Sequence, residues 1–207
     1  MTELLQKWRI GGRSTRPSTG RFAPGIAMGA VWVVLLALWA TALMPVPALA
    51  QRPSEYQVKA AFIYNFPNFV DWPEGALPDT TTALTIGILG KDPFGDAFAP
   101  FLSRAVKGRK GIIRRSTRLQ ELPFCHILFI CESEKKYLPQ ILEHFRGRPV
   151  LTVGETEGFA QTGVMINLVL KGNKVGFEVN VDAVEQARLK LSAKLLDLAT
   201  IVKEPQE

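Results

Sequence analysis

The chain has 207 residues, with 25 basic and 19 acidic side chains, two cysteines and two histidines. Five of the basic residues and one acid fall within the first fifty positions, so residues 51–207 carry 20 and 18, a net charge of +2 rather than the +6 of the whole chain. That balance gives no reason to expect nucleic acid as a partner, and the 157 residues after position 50 fit one domain with a hydrophobic core.

In chain order, the N-terminal segment comes first. Lys7, Arg9, Arg13, Arg16 and Arg21 precede an uncharged stretch from Ala23 to Gln51, whose apolar centre runs from Ile26 to Met44. Pro45 and Pro47 break that run, and Ala48-Leu49-Ala50 places small residues at the positions a signal peptidase needs. A basic flank, an apolar stretch and an A-x-A site define a secretory signal, with cleavage expected between Ala50 and Gln51. An uncleaved anchor is the alternative, because the 19-residue apolar run is long enough to span a bilayer. With the basic flank on the cytoplasmic side, either outcome puts residues 51–207 in the periplasm.

The exported part reads as an α/β domain. Glu55 to Phe66 has Val58, Phe62 and Phe66 at four-residue spacing and predicts a helix, ended or kinked by Pro67. A Pro/Thr-rich loop, Pro78 to Thr82, leads to the apolar run Leu84–Leu89, of strand length. Gly90 to Gly95 turns out of that strand, and Phe94 to Arg104 reads as helical. Gly111–Thr117 and Cys125–Cys131 are further strands, the latter apolar throughout as expected for one covered on both faces. Glu134–Phe145 predicts a helix closed by Gly147 and Pro149, and Val150–Val153 a fourth strand. Val164–Leu170 and Lys174–Val179 flank Lys171-Gly172-Asn173, a hairpin turn. Asp182-Ala183-Val184-Glu185 has the form of a capping box, opening a helix with a stripe at Val184, Ala187, Leu191, Leu195, Leu198 and Val202. Strands alternating with helices, then a hairpin, predict a mixed, mostly parallel sheet with helices on both faces.

The chemistry-bearing residues are few. His126 sits in a strand and His144 near a helix end, without ligand spacing, so both fit structural roles better than metal binding. Cys125 and His126 are adjacent in one strand and point to opposite faces, which argues against a thiol–imidazole dyad. The two cysteines would stand roughly 20 Å apart at about 3.3 Å per residue, too far for the roughly 4.4–6.8 Å of a disulfide, so buried free thiols are expected. An intermolecular bridge is the alternative. Gly87-x-x-Gly90-x-x-x-x-Gly95 follows a strand as phosphate-binding turns do, but it matches no dinucleotide or P-loop pattern. It leaves a small-ligand site at that strand end as the second functional reading. No nucleophile, metal set or cofactor loop can be named, so neither an enzyme nor a cofactor is expected. Lys107, Arg109, Lys110, Arg114, Arg115 and Arg118 form one basic cluster. It is read either as a protected sheet edge or as a contact to an acidic partner surface or anionic headgroups, with Arg109, Arg114 and Arg115 as candidates.

Several runs resemble the YfiR family of periplasmic proteins: Tyr56-x-x-Lys59-Ala60-Ala61-Phe62-x-Tyr64-Asn65-Phe66 with Phe69-Val70-Asp71-Trp72-Pro73, then Gly87-Ile88-Leu89-Gly90-x-Asp92-Pro93-Phe94. Cys125 to Ile130, Phe177-Glu178-Val179-Asn180 and Leu191 to Leu196 continue it, in order, over residues 55–202. The resemblance implies a compact, often dimeric α/β domain without known catalysis. Its best-understood member restrains a membrane-bound diguanylate cyclase by binding the cyclase's periplasmic domain. The partner implied is therefore such a cyclase or a sensor kinase, with cyclic di-GMP and biofilm formation downstream. That member uses disulfides from more cysteines than the two present here, and Pro67-Asn68 replaces the more usual Ala-Lys. Among the matching residues, Phe62, Phe66, Trp72 and Phe177 read as core, while Phe66, Phe69 and Trp72 form the candidate exposed patch if they are a partner site. Lys59 and Glu178 lie in apolar surroundings and call for a polar partner.

Overall fold

A computed structural model of the chain describes residues 53–77 and 82–203. The expected export segment, its Ala50–Gln51 cleavage site and most of the Pro78–Thr82 loop lie outside them. Helix α1 (Glu55–Asn65) opens on a capping box in which the Ser54 hydroxyl accepts from the Gln57 amide and the Gln57 side chain accepts from the Ser54 amide. Two N–H groups that a first helical turn leaves orphaned are thereby satisfied. Pro67 ends the α-helix one residue earlier than expected, and the chain continues as a 3-10 turn, Phe66–Phe69, into β1 (Val70–Asp71).

The strands that follow are β2 (Leu84–Leu89), β3 (Ala105–Val106), β4 (Arg109–Ser116) and β5 (Ile127–Ile130). Helix α2 (Leu138–Phe145) precedes β6 (Leu151–Gly154), β7 (Ile166–Lys171) and β8 (Lys174–Asn180). Helix α3 (Val181–Gln186), β9 (Lys190–Leu191), α4 (Ala193–Leu196) and β10 (Thr200–Val202) complete the described residues. Eight strands form one sheet in the order β10-β8-β7-β6-β5-β2-β4-β3, and β1 pairs with β9 in a small antiparallel ribbon. Strands β4, β2, β5, β6 and β7 are parallel. Strand β8 returns antiparallel through the expected hairpin, with Lys171 opposite Lys174. The domain is the mixed, mostly parallel α/β architecture expected.

Alternation along the strands builds two cores. Ile86, Ile88, Ile127, Phe129, Leu151 and Val153 face α1, with Ala60, Ile63, Tyr64 and Phe66 among them. Leu89, Leu128 and Ile130 face α2 through Leu138 and Ile141. Helices therefore cover both faces, as a sheet apolar on both sides requires. Chain direction reverses at β2: the connection to β4 passes over one face, and those to β5, β6 and β7 over the other.

Three expected elements differ. Phe94–Arg104 is not a helix but a succession of turns with bonds such as Ala97 N–H to Phe94 C=O and Phe101 N–H to Phe98 C=O. Gly95 adopts a left-handed φ of 51°, and Pro100 has no N–H to donate, so no i to i−4 ladder can propagate. The helix expected from Glu134 begins as a 3-10 segment, Glu132–Tyr137, and becomes α-helical at Leu138. The largest difference is the C-terminal stripe. Asn180, not Asp182, caps α3 by accepting the Ala183 N–H at 2.9 Å, and the helix stops before Arg188, whose φ is +58°. Lys190–Leu191 then pairs with Val70–Asp71, and β10 joins β8. Leu198, inside the expected stripe, is 74% exposed.

Candidate functional site

Strands that run parallel present two chemically different ends, and the residues singled out by sequence fall at both. At the carboxyl end, β2 and β5 lie on either side of the point where the chain direction reverses, the usual ligand crevice of an open sheet. Here it is filled. A Cβ placed on Gly90 would stand 2.4 Å from the Ser133 hydroxyl and 2.8 Å from a Glu134 carboxylate oxygen, and Ser133 Oγ accepts the Lys91 N–H at 2.9 Å. Asp92 accepts the Phe94 N–H at 2.7 Å and the Arg115 Nε–H at 2.6 Å. Arg115 also donates to the Gly95 carbonyl at 3.1 Å. Gly87 serves packing: a Cβ there would meet Cys125 Sγ at 3.1 Å.

The Lys59 ammonium group, almost wholly buried, lies at the same end. It reaches Glu155, just past β6, at 2.7 Å and Glu55 at 2.6 Å, and sits 4.9 Å from the centre of the Tyr56 ring. Burial opposes its charge, but the two carboxylates outweigh it and hold the ammonium above its usual pKa. Both polar expectations are met, since Glu178 accepts from Asn167 Nδ2 at 3.3 Å. Cys131 is buried nearby; burial first, then Asp92, Glu155 and Glu134, push its thiol up to about 12. Cys125 packs in the core on the opposite face and is likewise pushed to about 12 by burial. Both thiols are free, protonated at neutral pH and poor nucleophiles.

The amino end is organised differently. Trp72 Nε1 donates to the Pro149 carbonyl at 3.1 Å, and the turn Pro73–Ala76 runs across the start of the parallel strands, with Gly75 at φ +87°. Beside it His126, 2% exposed, accepts the Thr85 N–H at Nδ1, 3.0 Å away. That bond places the imidazole proton on Nε2, which is buried and faces the Ala76 backbone. Burial, and then the nearby Arg109 charge, lowers the His126 pKa. Phe124 stands edge-on to the imidazole at 5.0 Å and is 64% exposed. Together with Glu74, Thr82 and Arg188 these residues line an open cleft of about 580 Å³.

The sequence-derived candidates separate accordingly. Phe66 is buried and stacks edge-on to Phe177, with Phe62 also against Phe177, all as core. Phe69 and Trp72 are half-buried against that core. Arg109 is buried and donates to the carbonyls of Leu77 and Thr82, Arg115 is tied to Asp92, and Arg114 is exposed on β4. Phe66 and Arg109 thus act through packing and backbone hydrogen bonds rather than as surface. Phe124 and Glu155 escaped sequence reasoning: Phe124 belongs to no periodic run, and only the strand-end position of Glu155 hints at its pairing with Lys59. Among the described residues, no group of three or more His, Cys, Asp or Glu is placed to hold a metal. No helix among them is long and apolar enough to cross a membrane.

Against known families, the model described as YfiR/HmsC-like matches residues 56–200. The chain belongs to the YfiR/HmsC-like family. Solved structures that resemble it include an ABC domain in complex with L-Trp from Streptococcus pneumonia, 9% identical with a TM-score of 0.48, over 71% of this chain and 62% of that one. Another is a conserved domain protein from Vibrio cholerae O1 biovar El Tor, 12% identical with a TM-score of 0.44, over 73% of this chain and 60% of that one. The chain thus spans less than two thirds of either. Within the YfiR/HmsC-like domain the opening signature serves the core. Lys59 pins α1 to the loop after β6. Tyr64 donates to the Arg104 carbonyl at 2.6 Å and fills the space over Gly111, where a Cβ would come within 2.6 Å of its ring.

Proposed function

We propose that residues 51–207 form a periplasmic regulatory binding protein without catalytic activity, exported by a cleaved signal at residues 1–50. It restrains an inner-membrane signalling protein, foremost a diguanylate cyclase and otherwise a sensor kinase, and so lowers cyclic di-GMP. The observation that carries this reading is the YfiR/HmsC-like match across residues 56–200. The exposed Phe124 over the amino-end cleft supports it, because an exposed aromatic side chain beside a cleft is the kind of anchor protein interfaces use. Arg114, exposed on β4, is the remaining basic candidate for an acidic partner surface. The small-ligand reading at Gly90–Gly95 has less support, since Ser133 and Glu134 occupy that strand end.

Deleting the gene and measuring cellular cyclic di-GMP tests the cyclase version: the level is expected to rise, and an unchanged level removes it. Complementation with Phe124→Ala then asks whether the amino-end cleft is the contact, with partial or no restoration as the expected result.

A further inference from the structure

One margin of the large sheet is only half built. Strand β3, the last in the order, pairs with β4 at Arg109 and Lys110 alone, while β4 runs on beside β2 to Ser116. In a parallel ladder, successive residues of a strand turn their N–H and C=O groups to alternate sides. The Ser116 carbonyl accepts the Gly90 N–H at 2.9 Å, so Ile112, Arg114 and Ser116 address β2, and Ile113 and Arg115 address the outside. Beside Gly111 the Tyr64 ring closes the edge. Beyond it, neither Ile113 nor Arg115 makes a main-chain bond on the outer side to another described residue. Such an edge offers two donors and two acceptors to an added strand.

The side chains along this edge select what can be added. Ile113 packs against the core beneath α1, so alternation puts Lys110, Ile112 and Arg114 on the other face. Lys110 and Arg114 are exposed and stand about 13 Å apart at about 3.3 Å per residue. Neither has a carboxylate within ion-pair distance among the described residues. Two acids near this margin, Asp92 and Glu121, are taken up by Arg115 and Arg118. A second copy of the edge, paired antiparallel about Ile112 or Arg114, would set cation opposite cation, which is destabilising. The same two cations favour carboxylates at those places.

We infer that the outer edge of β4, from Ile112 to Ser116, takes up an extended acidic segment of a partner protein as an added strand. Its main chain bonds to Ile113 and Arg115, and carboxylates four residues apart meet Lys110 and Arg114. The main-chain bonds supply affinity and the charges supply selection. An anionic membrane surface would meet the charges but leave the ladder groups of Ile113 and Arg115 unused. The inference rests on the reading of the domain as a binding protein, not on which partner it binds. No residue of β4 lines the Phe124 cleft, so the two contacts are separable.

Titration of the exported protein with the peptide acetyl-TETVTET-amide, followed by NMR at constant ionic strength, tests the inference. Saturable 1:1 binding is expected, and hydrogen exchange should slow at the Ile113 and Arg115 amides. The Ile112 and Arg114 amides, already turned to β2, should change little. Affinity should fall at least ~10-fold for the same peptide N-methylated throughout, for its counterpart with lysine at both glutamates, and in Arg114→Glu. Arg114→Glu should in turn gain the lysine peptide, whereas Lys174→Glu on β8, across the sheet, should bind as the wild type does. Arg114 is exposed, so its variant keeps the fold. Peptide binding is read apart from cellular cyclic di-GMP, so either result can fail alone. No saturable binding in the millimolar range, equal binding of the N-methylated peptide, or wild-type affinity in Arg114→Glu would each overturn the inference. So would binding to phosphatidylglycerol vesicles with none to the peptide.

Discussion

The two ends of the parallel strands share one sheet and differ in what fills them. At the carboxyl end, Ser133 and Glu134 occupy the crevice, Asp92 is held by Arg115, and Lys59 ties α1 to Glu155. At the amino end the turn Pro73–Ala76 leaves a cleft, Phe124 is exposed and His126 is buried beside it. Open α/β sheets ordinarily bind at the carboxyl end. Here that end carries structural ion pairs, and the open aromatic surface lies at the other. The difference teaches that strand topology nominates a site, while side chains from neighbouring segments decide whether it stays open.

The largest expected effect tests the carboxyl end as a structural clamp. Lys59→Met leaves Glu155 buried without its main cation and is expected to cost about 3–5 kcal/mol in urea unfolding. Adding Glu155→Gln should recover much of the loss. A cost below about 1 kcal/mol would mean that the pair is solvated and the clamp unimportant.

Glycine substitutions compare the ends directly. Gly90→Ala forces a Cβ into Ser133 at φ +104°, so backbone strain and overpacking together should cost about 2–4 kcal/mol. Gly75→Ala at the amino end has nothing within 4 Å of its Cβ and should show only the left-handed penalty, about 1 kcal/mol. Equal losses in thermal or urea unfolding would erase the distinction between a filled and an open end.

His126 gives the amino end a pH signature. Its pKa is depressed in the folded state, so the stability it contributes is present above the unfolded value, about 6.5. That stability is lost as pH falls from there toward the folded value, because only the unfolded chain takes up the proton. His126→Asn keeps an acceptor for the Thr85 N–H and should flatten unfolding free energy against pH by at most about 1.4 kcal/mol per pH unit below 6.5. An unchanged slope would place the acid sensitivity elsewhere.

Phe124→Ala is expected to have the smallest effect on the fold, within about 0.5 kcal/mol, as for an exposed side chain. If the amino-end cleft is the contact, the same change should weaken partner binding by about 1–2 kcal/mol. A large stability loss with unchanged binding would reverse that assignment.

Much of the fold was legible in the residues because burial leaves a periodic trace. The apolar runs at Leu84–Leu89 and Ile127–Ile130 are strands covered on both sides, and Gly172-Asn173 turns the hairpin as expected. The C-terminal stripe misled because period alone cannot show what else the chain can pair with. Leu191 fits a helical face equally well as the partner of Val70, and the pairing across more than a hundred residues prevailed. The candidate site was less legible. Phe66 and Trp72 were marked by size, yet size does not say which aromatic stays exposed, and Phe124 carried no local signal.

The amino-acid sequence by itself determined the alternation of strands and helices, the separation of the two cysteines and the need of Lys59 for a counter-charge, since these follow from local spacing and from the cost of burying charge. Only the tertiary structure decided that Glu155 supplies that charge and that Ser133 and Glu134 fill the carboxyl-end crevice. Those outcomes depend on contacts between segments far apart in the chain, and local spacing holds no record of them.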